Sequence, residues 1–389
     1  MVLPSSASPP RPRLLVSCGE ASGDLYAAEL VRDLRALGRE VEAFGLGGDR
    51  LRDAGASLVA HVRDLAVVGL LEVVRHLPRI RGVFQALLAR ADAERPDLAV
   101  LIDYPDFNLR LARELRRRGI PVVYYVSPQI WAWRGGRIRD IRASVARMIV
   151  IFPFEEPLYR EAGVPVTFVG HPLVDLVRPA VDAPAFLTAQ RLDPSRPVLA
   201  VLPGSRRSEV AHNVPPIAGA LPLIRAARPD VQPAVAMAPG LDRGLFEPLR
   251  AAGATLVDGQ AHALVSAARA GIVASGTATV EAALLGLPMV VVYRLSPLTY
   301  ALGRPLVRVP HYAMANLIAG RAVVRELIQG GFQPRAVADE ALALLADGPR
   351  RRDVLEGLAE VRARLGPGGA SRRAAETAAS LLDGIQKKD

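Results

Sequence analysis

Short runs of consecutive apolar, β-prone residues alternate with helix-like segments along nearly the whole chain, in two successive series. The first comprises Leu14–Ser17, Val41–Gly45, Leu98–Ile102, Val122–Val126, Met148–Phe152 and Thr167–Val169. The second comprises Val198–Leu202, Gln232–Met237, Thr255–Val257, Gly271–Ala274 and Met289–Tyr293. Runs that are apolar at every position, rather than at every second one, mark strands buried on both faces, and such strands belong to parallel sheets covered by helices. The intervening segments supply those helices: Leu25–Leu37 stops at Gly38, and Leu109–Arg118 stops at Gly119, each glycine suited to a left-handed helix end. The chain therefore reads as α/β, a succession of βαβ units forming two Rossmann-like domains with parallel sheets facing across a cleft, followed by a helical C-terminal tail.

A length of 389 residues suits two cores at about 150 residues each. Pro172, Pro179, Pro184, Pro194 and Pro197 crowd one window and predict the linker there. The expected divisions are residues 1–12 as a disordered Pro/Ser-rich tail, 13–180 and 181–345 as the two domains, and 346–389 as a helical tail. That tail is expected to pack back on the first domain. Residues 1–12 lack the apolar core of a signal peptide, and no run of about 18 apolar residues predicts a transmembrane helix. The single cysteine, Cys18, excludes an intramolecular disulfide, suits a reducing compartment, and reads as a small buried filler. The expected location is the cytoplasm. The net charge of +10 fits nucleic acid, an anionic membrane surface or a phosphorylated substrate. Arg116–Arg118 and Arg350–Arg352 lie at apparent helix ends, where cations suit the macrodipole, and no aromatic-interleaved basic strand or zinc spacing accompanies them. Nucleic acid is accordingly not expected as a partner.

Ligands of open parallel sheets bind beyond the carboxyl ends of the strands, and the chemistry-bearing residues of this chain collect there. Ser17-Cys18-Gly19-Glu20-Ala21-Ser22-Gly23-Asp24 follows the first strand. It reads either as a strand-to-helix turn capped by Ser22 or Asp24, or as a substrate-facing loop, and it is not a dinucleotide fingerprint. Asp103 ends a strand and is either a general base or structural. Pro105 disfavours the helical region at Tyr104 and keeps that loop open, while Asp106, or else Asn108, caps the helix expected from Leu109. Ser127, Gln129, Trp131 and Trp133 form an aromatic loop that stacks on a sugar, lines an acyl pocket or packs an interface. His171 is divided between structural hydrogen bonding and substrate contact.

In the second series, Pro203-Gly204-Ser205-Arg206-Arg207-Ser208-Glu209 offers amides, hydroxyls and a guanidinium fork for phosphate without P-loop spacing. Ser275-Gly276-Thr277 opens a helix whose amides suit a diphosphate, and Glu281, one turn on, can accept from both ribose hydroxyls. Val67, Val68, Leu70, Leu71 and Val74 lie in a very apolar stretch with Arg75, Arg79 and Arg81 close by. That stretch is a buried core helix, or a patch that docks on anionic membrane or grips acyl chains.

Taken together these motifs resemble the lipid-A-disaccharide synthase family. The landmarks run in order: Gly19–Asp24, Ile102–Asn108, Tyr125–Pro128 with Trp131-Ala132-Trp133, Pro153-Phe154-Glu155, Val169–Pro172, Leu202–Arg206, Ser275–Ala278 with Glu281, Pro288–Val291, Asn316–Arg321 and Glu326–Gln329. The resemblance implies a GT-B fold and an inverting, metal-free transfer without a cofactor. The substrates it implies are UDP-2,3-diacylglucosamine and 2,3-diacylglucosamine 1-phosphate. It makes Asp103 the base and has Arg206 stabilise the leaving diphosphate. Glu20, Ser22, Gly23, Asn108, Ser127, Trp131 and His171 would contact substrate on the acceptor side. Gly204, Ser205, Ser275, Gly276, Thr277, Glu281, Asn316, Glu326 and Gln329 would form the donor side. It further implies a peripheral protein on the cytoplasmic face of the inner membrane, and a homodimer that exchanges its C-terminal segments as the alternative to a tail packed on its own first domain. Two rivals remain: an enzyme like a UDP-GlcNAc 2-epimerase, and a non-catalytic nucleotide-sugar-binding protein associated with membrane.

Overall fold

The computed structural model of the chain describes residues 11–65, 70–131, 136–179, 182–296, 300, 304 and 309–386, with the side chains of 70–76 and 385–386 excepted. Two compact units divide the chain: Met1–Pro172 with Gly368–Asp389, and Leu173–Pro367.

The first unit is built on β1 (Arg13–Cys18), β2 (Glu42–Gly47), β3 (Ser57–His61), β4 (Leu98–Ile102), β5 (Val122–Tyr125), β6 (Arg147–Val150) and β7 (Val166–Phe168). They form a parallel sheet in the order β3-β2-β1-β4-β5-β6-β7. The second unit carries β8 (Val198–Leu202), β9 (Gln232–Met237), β10 (Thr255–Asp258), β11 (Ala270–Ala274), β12 (Met289–Tyr293) and β13 (Glu326–Ile328). Their order is β10-β9-β8-β11-β12-β13, again parallel. The central strands are buried at every position, as in β4, β5 and β11, which is why they read as unbroken apolar runs. The sequence gives no such signal for β3 and β13. Both are edge strands: β3 is nowhere fully buried, and β13 has three residues.

The crowded prolines do not form a free linker. The helices Leu173–Leu176 and Ala183–Ala189 pack on the helices Thr277–Leu284 and Ala261–Ala267, so this segment belongs to the second unit and the division falls at 172/173 rather than 180/181. The helix Pro349–Arg364 likewise packs on Thr277–Leu284, Met314–Ala319 and Pro334–Leu345. Only the last helix, Ala370–Gln386, joins the first unit. It lies against Ala21–Ala36 through the buried small residues Ala374, Ala375 and Ala378. Ser371 donates to Glu29 at 2.8 Å, and the Arg373 guanidinium donates to the Val169 carbonyl at 2.9 and 2.6 Å.

Three local readings are corrected. Arg350–Arg352 stand in the first turn of Pro349–Arg364, not at a helix C-terminus. Arg350 and Arg351 reach back to the helix before: Arg350 to buried Glu340 at 2.7 Å, Arg351 to the carbonyl of Leu344 at 2.8 Å. Asp106 is not a cap, because the helix starts at Pro105 with Tyr104 as its N-cap residue. Proline is suited to the first helical position, and Asp106 instead pairs with Arg137. The first helix starts at Ala21 with no side-chain cap, so neither Ser22 nor Asp24 serves there. Asp24 is buried and accepts the N–H groups of Gly48, Arg50 and Leu51 at 2.6, 3.1 and 3.1 Å, capping the helix Asp49–Asp53 from outside. Asp24→Ala leaves these donors without their acceptor. It is expected to cost about 3 kcal/mol, read as a drop in thermal midpoint with unchanged circular dichroism in the folded baseline. A midpoint within a degree of wild type would refute this.

Val67 and Val68 lie outside the described residues, as do the side chains of Leu70, Leu71 and Val74. The helix Leu70–Glu94 contains Pro78, and Leu77 just before it is 53% exposed. Among the described residues no helix is long and apolar enough to cross a membrane.

Candidate active site

In each sheet the strand order reverses once, between β1 and β4 and between β8 and β11. At such a switch point the connections leave to opposite faces and open a crevice at the carboxyl edge. Register fixes what meets there. Cys18 pairs with Ile102, so Gly19 and Asp103 leave the sheet side by side. Leu202 pairs with Val273, which brings the loop Pro203–Arg206 beside Ser275–Thr277.

In the first unit the backbone at the switch point is strained. Asp103, Tyr104 and Val126 have φ of 47, 51 and 66°, a region costly for residues with a Cβ, above all for β-branched valine. Hydrogen bonds hold it. The Asp103 N–H donates to the Tyr125 carbonyl at 3.0 Å, and its carbonyl accepts Tyr124 Oη–H at 2.7 Å and Asn108 Nδ2–H at 2.9 Å. Burial pushes the Asp103 carboxyl above the usual carboxylate range, and the nearby Glu20 charge adds to it. Glu20 and Ser22 are exposed beside it, and Gly23 is buried. Asn108 is fully buried. Its Oδ1 accepts Ser17 Oγ–H at 2.7 Å, and its Nδ2 also reaches the Ile102 carbonyl at 3.2 Å. Asn108 thus ties β1 to β4 beneath the loop.

The next strand ends add an aromatic wall. Trp131, after β5, meets Phe154 edge-on at 5.2 Å, Phe154 stacks on Phe152 at 5.5 Å, and Phe152 lies 5.0 Å from the His171 ring. His171 is buried, which pushes its pKa down to about 4. Ser127 is buried, hydrogen-bonded to Tyr159 Oη at 2.8 Å. Gln129 is exposed, and Trp133 lies outside the described residues. Cys18 is fully buried with Sγ 3.5 Å from the Leu46 carbonyl, the filler its surroundings require.

In the second unit Gly204 (φ 132°) and Gly276 (φ 142°) take conformations reserved for glycine. Gly276 is the N-cap of Thr277–Leu284, and Thr277 opens that helix, exposed. Ser275 Oγ donates to the Tyr312 carbonyl at 2.8 Å. The Arg206 side chain is 76% exposed and pairs with Glu209 at 3.2 Å. Glu209 itself accepts the Ser205 N–H at 3.2 Å. Glu281 lies 3.5 Å from His262 Nε2, and this hydrogen-bonded carboxylate raises the imidazole pKa. Asn316 and Glu326 hydrogen-bond to each other and to nearby backbone. Asn316 Oδ1 accepts the N–H groups of Val323 and Val324 at 2.8 and 2.9 Å. Its Nδ2 donates to Glu326 at 2.8 Å, and Glu326 also accepts the N–H of Ala313 at 2.8 Å. Gln329 (φ 50°), with its amide turned so that its nitrogen faces the Leu295 carbonyl, exchanges hydrogen bonds with the backbone of Leu295 at 3.3 and 3.0 Å. Sequence reasoning missed His262 and Asn213 and gave Glu209 no role of its own. Asn213 joins the Pro203 carbonyl (2.9 Å) to the Arg294 N–H (3.1 Å). An asparagine about two helix turns beyond a phosphate-type loop was the available signal.

Two Rossmann-like units with ligand loops at their switch points define the GT-B class. Solved structures agree at the level of fold. The glycosyltransferase of kitacinnamycin superposes with a TM-score of 0.64 at 18% identity, covering 96% of this chain and 100% of that one. A UDP-GlcNAc 2-epimerase from Neisseria meningitidis, solved with UDP-GlcNAc bound, gives 0.63 at 12% identity, covering 95% and 100%. Sequence separates these possibilities. The lipid-A-disaccharide synthetase family matches residues 14–378. The lipid-A-disaccharide synthase of Koribacter versatilis (strain Ellin345) is 50% identical over 97% of this chain and 100% of its own length. That of Myxococcus xanthus (strain DK1622) is 46% identical over 95% and 98%. The chain belongs to the lipid-A-disaccharide synthetase family, and it is a glycosyltransferase of lipid A biosynthesis.

Proposed function

We propose that the chain transfers 2,3-diacylglucosamine from UDP to the 6-hydroxyl of 2,3-diacylglucosamine 1-phosphate, with inversion at the anomeric carbon. The observation that carries the reading is Asp103, a carboxyl at the first sheet's switch point whose burial and Glu20 neighbour raise its pKa. A base tuned toward working pH takes a hydroxyl proton more effectively. Asp103 accepts the proton of the acceptor 6-hydroxyl as that oxygen bonds to the anomeric carbon. The anomeric carbon–oxygen bond to UDP breaks, and its electron pair leaves on the β-phosphate. Arg206 and the exposed amides at the start of Thr277–Leu284 stabilise that charge, and Glu281 accepts from the ribose hydroxyls. Trp131 and His171 contribute to the acceptor wall, and Glu20, Ser22 and Gly23 border it. Ser127, Asn108, Asn316, Glu326 and Gln329 act by holding the loops. The charge of +10 and the apolar stretch around residues 65–74 support peripheral attachment to an anionic membrane surface, on the inner face of the inner membrane. Homodimer formation by exchange of the last helix belongs to the same reading.

The test is UDP release in detergent micelles containing EDTA. Release that requires both lipids and survives the chelator supports the reading. Well-folded protein that releases no UDP from the lipid pair, or that epimerises UDP-GlcNAc, sinks it.

A further inference from the structure

A carboxyl that this chemistry does not use lies beneath the acceptor-side loop. Glu155 opens the helix Glu155–Glu161 and is 1% exposed. Its Oε1 accepts Trp131 Nε1–H at 3.1 Å, and its Oε2 accepts the Phe152 N–H at 3.2 Å. One turn along the same helix, fully buried Tyr159 hydrogen-bonds Ser127 Oγ. A single short helix therefore grips the loop after β5 at Ser127 and again at Trp131, and it grips the loop after β6 at Phe152. An apolar side chain would fill the same space without losing solvation, so the carboxyl is explained by what its two oxygens hold. They hold a loop that begins at strained Val126 and is hydrogen-bonded to Asp103 through Tyr125.

We infer that Glu155 is a positioning residue for the acceptor: it fixes Trp131 and the loop after β5, and its ionisation loosens them. This rests on the assignment of the first unit to the acceptor. Burial pushes the Glu155 carboxyl up to about 8, against the opposing hydrogen bonds from Phe152, Trp131 and Ser127. The neutral carboxyl is thus the form that fits the packed loop. Relative to an opened loop, where the group regains an ordinary carboxylate pKa, the packed loop is favoured most at low pH. That advantage declines as pH rises toward 8. Among the described residues, the titratable groups around it keep their charge through this window. Burial holds the Tyr159 hydroxyl far above its ordinary range, and it holds His171, on the other side of Phe152, down at about 4. Trp131 and Ser127 carry no charge there.

The experiment is the pH dependence, from 6.5 to 9.5, of kcat/KM for the lipid acceptor and of tryptophan emission. Wild type, Glu155→Gln and Trp131→Phe are compared, with thermal midpoints as the folding control. Wild type should lose kcat/KM for the acceptor as pH rises to about 8, by at most about tenfold per pH unit for a single ionisation, and level off above it. Glu155→Gln should be flat across that window, with acceptor KM raised about tenfold at pH 7 by misplacement of the loop and donor KM unchanged. Trp131→Phe removes a donor to the anion and should move the limb to higher pH, which keeps the test open if Glu155→Gln does not fold. Emission from Trp131 and Trp133 should titrate with the same midpoint in wild type and not in Glu155→Gln. That readout needs no turnover, so it separates failure of this inference from failure of the proposed reaction. A pH dependence of kcat/KM shared by all folded variants, or an emission titration that persists unchanged in Glu155→Gln, would overturn it.

Discussion

Asp103→Asn lowers kcat by about 10²–10⁴-fold, the range that a positioned general base contributes, while UDP binding and the thermal midpoint stay near wild type. The loop should survive the change because its hydrogen bonds to Tyr124, Tyr125 and Asn108 are made by the Asp103 backbone, not by its carboxyl. The same residue sets the acid side of the rate profile. A base works only when ionised, so activity rises with pH through the Asp103 pKa. Burial first, and Glu20 second, place that pKa above the ordinary value of 3.8. Glu20→Gln removes the second cause. The acid limb should therefore move to lower pH, with the alkaline limb unchanged. Full activity in Asp103→Asn would remove the base from the mechanism, and an acid limb indifferent to Glu20 would assign it to another group.

How far these residues were legible follows from how each is held. Strand ends are written in the sequence wherever both faces of a strand are buried, because the apolar run stops where the chain leaves the core. Val198–Leu202 and Leu98–Ile102 stop at Pro203 and Asp103 for that reason. The loops at the two switch points are therefore legible without the strand order. The partners of the polar residues were not legible. Asp24 serves a helix 24 residues away at Gly48, and Asn108 binds Ser17 across 91 residues. Such contacts depend on β1 lying between β2 and β4, which no local pattern states. Helix starts near Pro105 and Ala21 were also misread. There tertiary hydrogen bonds, rather than local caps, satisfy the polar side chains, so the usual cap residues fall inside the helices. Glu155 illustrates the same limit. Its place in Pro153-Phe154-Glu155 marks the family, but its burial under Trp131 is a property of the fold.

Gly19→Ala should then be nearly as damaging to turnover as the loss of Asp103 while leaving the protein folded. A Cβ at this position would meet Tyr104 Cγ at 2.2 Å, Cδ2 at 2.6 Å and Cβ at 2.7 Å. These atoms lie close to the Tyr104 backbone, so a simple rotamer change does not clear them. Tyr104 is itself pinned. Its carbonyl accepts the N–H groups of Phe107 and Asn108 at 3.2 and 2.9 Å, and its ring stacks on Phe107 at 5.5 Å. The added methyl must displace the start of the helix Pro105–Arg117 or push the loop at Asp103, the residue immediately before. A misplacement of about 1 Å in a reacting group costs about 10² in rate, whereas overpacking one position costs about 1–3 kcal/mol of stability. The expected result is a fall of about 100-fold in kcat with a modest loss in thermal midpoint. Tyr104→Ala provides the control, since removing the ring beyond Cβ makes most of the needed room. In a double-mutant cycle the pair should be more active than Gly19→Ala alone, a coupling that independent sites do not show. If the single variant is fully active, or the double variant is no better than the single, the contact between these two loops does not position the base.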